Sequence, residues 1–176
     1  MKIAHILSAA IATLAAGNAA AQTTAQRACV TQAEAEAVML FVAPDLIRQT
    51  GQRCAATLPA TALIRRASSP LIAKFEAESD RAWPLAKAGI GKIAGPEASQ
   101  LLESDFARPM VGTLVAPLVA GNIATSDCST IERAANLLQP LPARNVASLA
   151  ILFAQADAQR NPGKSGLPLC PVPNRG

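Results

Sequence analysis

Residues 68–95 read SSPLIAKFEAESDRAWPLAKAGIGKIAG, and the folding of this stretch decides how the rest of the chain is arranged. Ser69 followed by Pro70 is a helix start, because the hydroxyl can satisfy an orphan N–H and proline is tolerated at the first helical position. Leu71, Ile72 and Phe75 then fall on one face. Lys74 and Glu78 stand four residues apart on another, and Glu76 and Asp80 place two carboxylates one turn apart. Pro84, directly after the only tryptophan, Trp83, removes a backbone donor, so the helix either kinks there or ends and restarts. Beyond it Leu85, Ala88 or Gly89, and Ile93 face inward. Gly91 and Gly95 leave a smooth surface for a neighbour, and Gly95-Pro96 ends the unit.

Upstream, Thr31-Gln32-Ala33-Glu34 matches a capping box. It predicts a helix from Gln32 to Val42 that stops before Pro44. A second helix from Asp45 would carry Leu46 or Ile47, Cys54 and Leu58 on one face, antiparallel to the first. A short helix over residues 61–67 follows, with Leu63 inward and Arg65 and Arg66 outward.

Downstream, residues 96–106 predict a helix burying Leu101 and Leu102. The run from Met110 to Ala120 is uncharged and apolar on every side, which suits a helix surrounded by others at the centre of a bundle. Ser129 to Glu132 reads as a second capping box, opening a helix to Leu138. A final helix capped by Asn145 runs to Gln159, with Val146, Leu149, Ala150, Phe153 and Ala156 on one face. Alanine abundance and an aromatic content of 3% favour helix over strand. The expected fold is therefore all-α: a compact multi-helix bundle of about six to eight helices with two disulfides and a Pro-rich C-terminal tail.

The chain begins with one basic residue, Lys2, an uncharged run to Ala16 and Ala19-Ala20-Ala21. This is the pattern of a secretory signal peptide over residues 1–21. The apolar run is shorter than a membrane span needs. Residues 22–176 are then one helical domain without a transmembrane segment, periplasmic or secreted, with the alanine-rich flavour of a bacterial protein. Residues 164–176 form an irregular tail pinned by Cys170. An even set of cysteines in an exported chain reads as disulfides. A bend at Pro44 would bring Cys29 back to Cys54, leaving Cys128 to pair with Cys170, although spacing alone does not decide connectivity.

The chemistry is defined by what is missing. The single histidine, His5, lies in the signal peptide, which removes Ser-His-Asp and Cys-His nucleophiles and nearly all catalytic zinc designs from the mature chain. No serine is followed three residues later by lysine. Gly163-Lys164-Ser165 resembles the end of a phosphate loop, but Ala158 stands where its first glycine belongs. Gly89, Gly91 and Gly95 have the wrong spacing for a dinucleotide fingerprint. No catalytic, cofactor or metal site is expected. A formal net charge of +4, scattered along the chain, gives no footprint for nucleic acid.

Five residues remain as candidates for contact with a ligand or partner: Trp83, Glu76, Asp80, Arg65 and Arg66. The leading expectation is a non-catalytic exported module that binds or assembles with another exported protein. One alternative is a carrier of a small apolar ligand, with its cavity between the 110–120 helix and the Trp83 segment. Another is a hydrolase built on Glu76 and Asp80 with Arg65 or Arg66. An apolar cavity favours the carrier, convergent buried carboxylates the hydrolase, and an exposed apolar patch the partner-binding module.

Overall fold

The computed structural model describes residues 29–161 and 168–171. The expected signal peptide, residues 22–28, residues 162–167 and the last five residues of the tail lie outside the described residues. The described part is helical, with six α-helices and no strand among the described residues. They are α1 (Gln32–Arg53), α2 (Pro70–Ala94), α3 (Pro96–Leu101), α4 (Ala107–Gly121), α5 (Cys128–Leu138) and α6 (Ala143–Arg160). Two 3₁₀ turns, Leu63–Arg65 and Thr125–Asp127, join α1 to α2 and α4 to α5.

The two long helices, α1 and α2, form the spine. They lie antiparallel: Glu34 meets Lys92 at 2.6 Å, the rings of Phe41 and Trp83 pack 4.7 Å apart, and Arg48 pairs with Glu76. The capping box at Thr31 is present, with Glu34 N–H donating to the Thr31 hydroxyl and Thr31 N–H donating to the Glu34 carboxylate. Ser69 caps α2 by accepting from the N–H of Ile72. Two glycines set how closely neighbours approach α1. A Cβ on Gly51 would overlap the Ile64 carbonyl, and one on Gly89 would press on Glu34 and Val38. Gly95, at φ +94°, takes a left-handed backbone between α2 and α3 that suits a residue without Cβ.

Proline is the main point at which the chain departs from expectation. Pro44 does not end α1; at Pro84, where a kink or a restart was expected, α2 continues as one helix. Pro44 is buried together with Ala43, Phe41 and Leu40. Packing along the helix outweighs the hydrogen bond that proline removes. The expected hairpin about Pro44 is thus replaced by one helix whose partner is α2.

The disulfides change as a direct consequence. An unbroken α1 puts Cys29 and Cys54 at opposite ends of a rod roughly 35 Å long at 1.5 Å per residue, far beyond disulfide reach. The pairs are Cys29–Cys170 and Cys54–Cys128. The first ties the tail to the start of α1, where Val30 N–H donates to Pro168 O and Cys170 N–H to Val30 O, over a small cluster of Val30, Ala35 and Ile151. The second is completely buried and anchors the start of α5 to the end of α1.

Three smaller expectations are also corrected. Leu102 is buried but Leu101 is 71% exposed, because α3 ends after Leu101. The second capping box does not form: α5 begins at Cys128, and Glu132 turns away to another element. The last helix starts at Ala143 behind Pro142 and buries Val146, Ala147 and Ile151, which leaves Leu149 and Phe153 facing solvent.

Candidate functional site

The residues singled out from the sequence do not form one site. The acidic run on α2 is spent on fastening that helix to its neighbours. Glu76 pairs with Arg48 of α1, Asp80 with Arg108 of α4, and Glu78 with Arg144 of α6 at 2.8 Å. Lys74 does not reach Glu78. A cleft of about 330 Å³ between α1, α2 and α4 does hold Asp45 and Glu76, but Glu76 is exposed, Asp45 only half-buried, and both are bonded to Arg48. That leaves no buried carboxylate there to act as a general acid. Arg65 donates to the Leu58 carbonyl at 2.6 Å, and Arg66 stands exposed beside it. Trp83 is half-buried against Phe41. Among the described residues no three His, Cys, Asp or Glu side chains are grouped to hold a metal ion.

A second hollow has a different character. Its volume is about 300 Å³, and its walls are apolar. One stripe of α1 supplies Met39, Ala43, Leu46, Ile47 and Thr50, whose spacing of four, three, one and three residues keeps them on a single face. Leu71 and Phe75 of α2, Ile64 and Val146 close the sides. Val119 and Ile123 come from the end of α4 and the turn after it, and Ile131, Ala134, Ala135 and Leu138 from α5. The only hydroxyl in the wall, that of Thr50, donates to the Leu46 carbonyl at 2.8 Å and so has no free proton to give to water. The hollow reaches solvent beside Val119 and Ala134, both exposed.

The cavity expected from the sequence lay between α4 and the Trp83 segment. It is instead beneath α5, touching α4 only at its end, and Trp83 takes no part in it.

What keeps α5 above the hollow is a set of three tethers. At its start the Cys54–Cys128 disulfide holds it to α1. Along its length the Glu132 carboxylate accepts the N–H groups of Leu63 at 2.7 Å and Ile64 at 3.2 Å, capping the 3₁₀ turn from a distance of almost seventy residues in the chain. At its end the Lys74 ammonium donates to the carbonyls of Leu138, Gln139 and Leu141, at 2.7–3.1 Å. A cation at a helix C-terminus satisfies carbonyls that have no partner within the helix. Burial lowers the Lys74 pKa from its ordinary value. Fixed by these three points, α5 directs Ile131, Ala135 and Leu138 inward without having to fill the space below.

The other apolar feature lies on the outside of α4. Its buried face is made of small residues, Ala107, Val111, Gly112, Ala116 and Ala120. Its large residues point outward: Phe106 is 74% exposed and Leu118 72%, with Met110 and Leu114 between them at four-residue spacing. The helix expected at the centre of the bundle therefore lies at its edge. Small side chains let it settle closely on α1, where Gly112 leaves room for Asp45. Among the described residues no single helix is long and apolar enough to cross a membrane.

The pocket-lining residues of α1 were obscured in the sequence by Pro44. Read through the proline, Met39, Ala43, Leu46, Ile47 and Thr50 form a helical stripe, and Ile131, Ala134, Ala135 and Leu138 repeat the pattern in α5. That pairing of stripes is the signal that could have located the pocket. No family model, curated protein or solved structure matches the chain.

Proposed function

We propose that the protein is an exported, non-catalytic binding protein whose site is the apolar hollow beneath α5. The observation that carries this reading is a hollow of about 300 Å³ whose one polar side chain is already bonded within its own helix. Such a space holds water poorly and apolar matter well, because a buried water needs two to four polar partners. Its size is at the lower end of small-molecule pockets, enough for a single chain or ring system. The arginine partners of Glu76, Glu78 and Asp80 favour binding over hydrolysis. Export is supported by the leader pattern of residues 1–21 and by two disulfides, which persist in oxidising compartments. The exported protein then begins at Gln22, as an intact mass would register.

The test is a titration with N-phenyl-1-naphthylamine, whose fluorescence rises in apolar surroundings. Wild-type protein takes up one equivalent. Ala135→Phe, which places a ring in the hollow, keeps its helical circular dichroism and loses the uptake. Equal uptake by the filled variant would place the dye elsewhere and end the proposal.

The outer face of α4 favours a second, compatible role in assembly, with a second copy of the chain as the partner. No charged residue occurs from Pro109 to Ser126, so two antiparallel copies meet there without opposing like charges. Sedimentation should show concentration-dependent dimerisation that Leu114→Asp abolishes, and a monomer at every concentration would exclude it.

A further inference from the structure

One arginine is bonded to the wall of the hollow. Arg53 is the last residue of α1, one turn beyond Thr50, which lines the wall. Its Nε donates at 3.3 Å to the carbonyl of Ile123, another wall residue, in the turn after α4. This contact holds the guanidinium across the gap between α1 and the turn after α4. The guanidinium is solvent-exposed, and among the described residues it has no carboxylate partner. Asp127, the acidic residue closest in sequence to Ile123, accepts instead from the Ser126 hydroxyl. Lys74, also near the wall, is fully occupied by three carbonyls.

We infer that the ligand is a medium-chain aliphatic carboxylate, with its chain in the hollow and its carboxylate on the guanidinium of Arg53. This rests on the reading of the hollow as a binding site and adds the chemistry of the ligand's head. The wall gives a polar head no place inside, so the head must remain at the mouth, and the cation bonded to the wall is a planar donor suited to a carboxylate. The volume accommodates one chain rather than the paired chains of a phospholipid. Because Arg53 is exposed, its contribution is moderate and falls with added salt.

The experiment compares decanoate with decan-1-ol, which has the same chain without the charge, by displacement of N-phenyl-1-naphthylamine from the full mature protein. Decanoate should bind about fivefold tighter than decanol at low salt, a ratio in keeping with an exposed charge pair. Arg53→Glu should abolish or reverse that preference, read as the ratio of decanoate to decanol affinity within the variant. Arg160→Glu changes the net charge equally and lies at the far end of α6 from Val146, so it should leave the preference intact. Equal binding of both ligands, or a preference that survives Arg53→Glu, overturns the carboxylate assignment and leaves the apolar site standing. Failure of both to displace the dye overturns the site itself.

Discussion

Glu132 gives the most exacting test of how α5 is held. Its two carboxylate oxygens accept the backbone N–H groups of Leu63 and Ile64, and those two residues are each only 3% exposed. Glu132→Ala leaves both donors without a partner in a place water hardly reaches. Each stranded donor costs about 1–3 kcal/mol; at about 1.5 kcal/mol apiece, in the lower half of that range because the bonds are part-buried, the pair sums to about 3 kcal/mol. With a urea dependence of about 2 kcal/mol per molar, typical of a chain this size, the unfolding midpoint falls by about 1.5 M. Glu132→Gln keeps one acceptor oxygen and should recover roughly half of the loss. Urea unfolding followed by circular dichroism at 222 nm measures all three proteins. If Glu132→Ala shifts the midpoint by less than about 0.3 M, the carboxylate is not the cap of the 3₁₀ turn and the tether argument fails.

Further outcomes follow from the other fastenings. Cys54→Ser with Cys128→Ser removes a bridge spanning 74 residues, for which chain entropy predicts a loss of about 4 kcal/mol; an unchanged midpoint would show that the bridge does not form. Glu34 is expected to drive acid sensitivity. Burial alone would raise its pKa, but bonds from Lys92 and Thr31 outweigh burial and hold it below the usual carboxylate value. The stabilisation is therefore complete above the unfolded carboxylate pKa of about 4.3 and is lost as pH falls through the lower folded value. Glu34→Gln should flatten that acid limb, and a limb of unchanged steepness would assign it to other groups. Gly51→Ala drives a methyl group into the Ile64 carbonyl and should lower the melting temperature by several degrees, where an ordinary glycine-to-alanine change within a helix raises it.

Local signals were legible from the sequence wherever one segment sufficed. The capping box at Thr31, the Ser69-Pro70 start of α2 and the stop at Gly95 all depend on groups within a few residues, and all appear as expected. Local rules fail where packing overrides them. Pro44 is an effective helix breaker in isolation, but buried between neighbours it remains inside α1, and that reversal alone redirected both disulfides. The Glu132 motif could be satisfied locally or by a distant turn, and pattern alone does not distinguish the two. The uniformly apolar sequence of α4 gave no clue to its orientation. Its small residues face the spine because close approach to Gly112 and Ala116 requires it, and its large residues are left outward.

The central claim, that the hollow beneath α5 is a binding site, is tested most directly by methyl NMR during titration with decan-1-ol. The isoleucine methyls are well distributed for this purpose: Ile47, Ile64, Ile123 and Ile131 line the hollow, whereas Ile90, Ile93 and Ile151 belong to packing elsewhere. Saturable shifts confined to the first four are predicted. Shifts centred on Ile90, Ile93 and Ile151, or none at all, would contradict it.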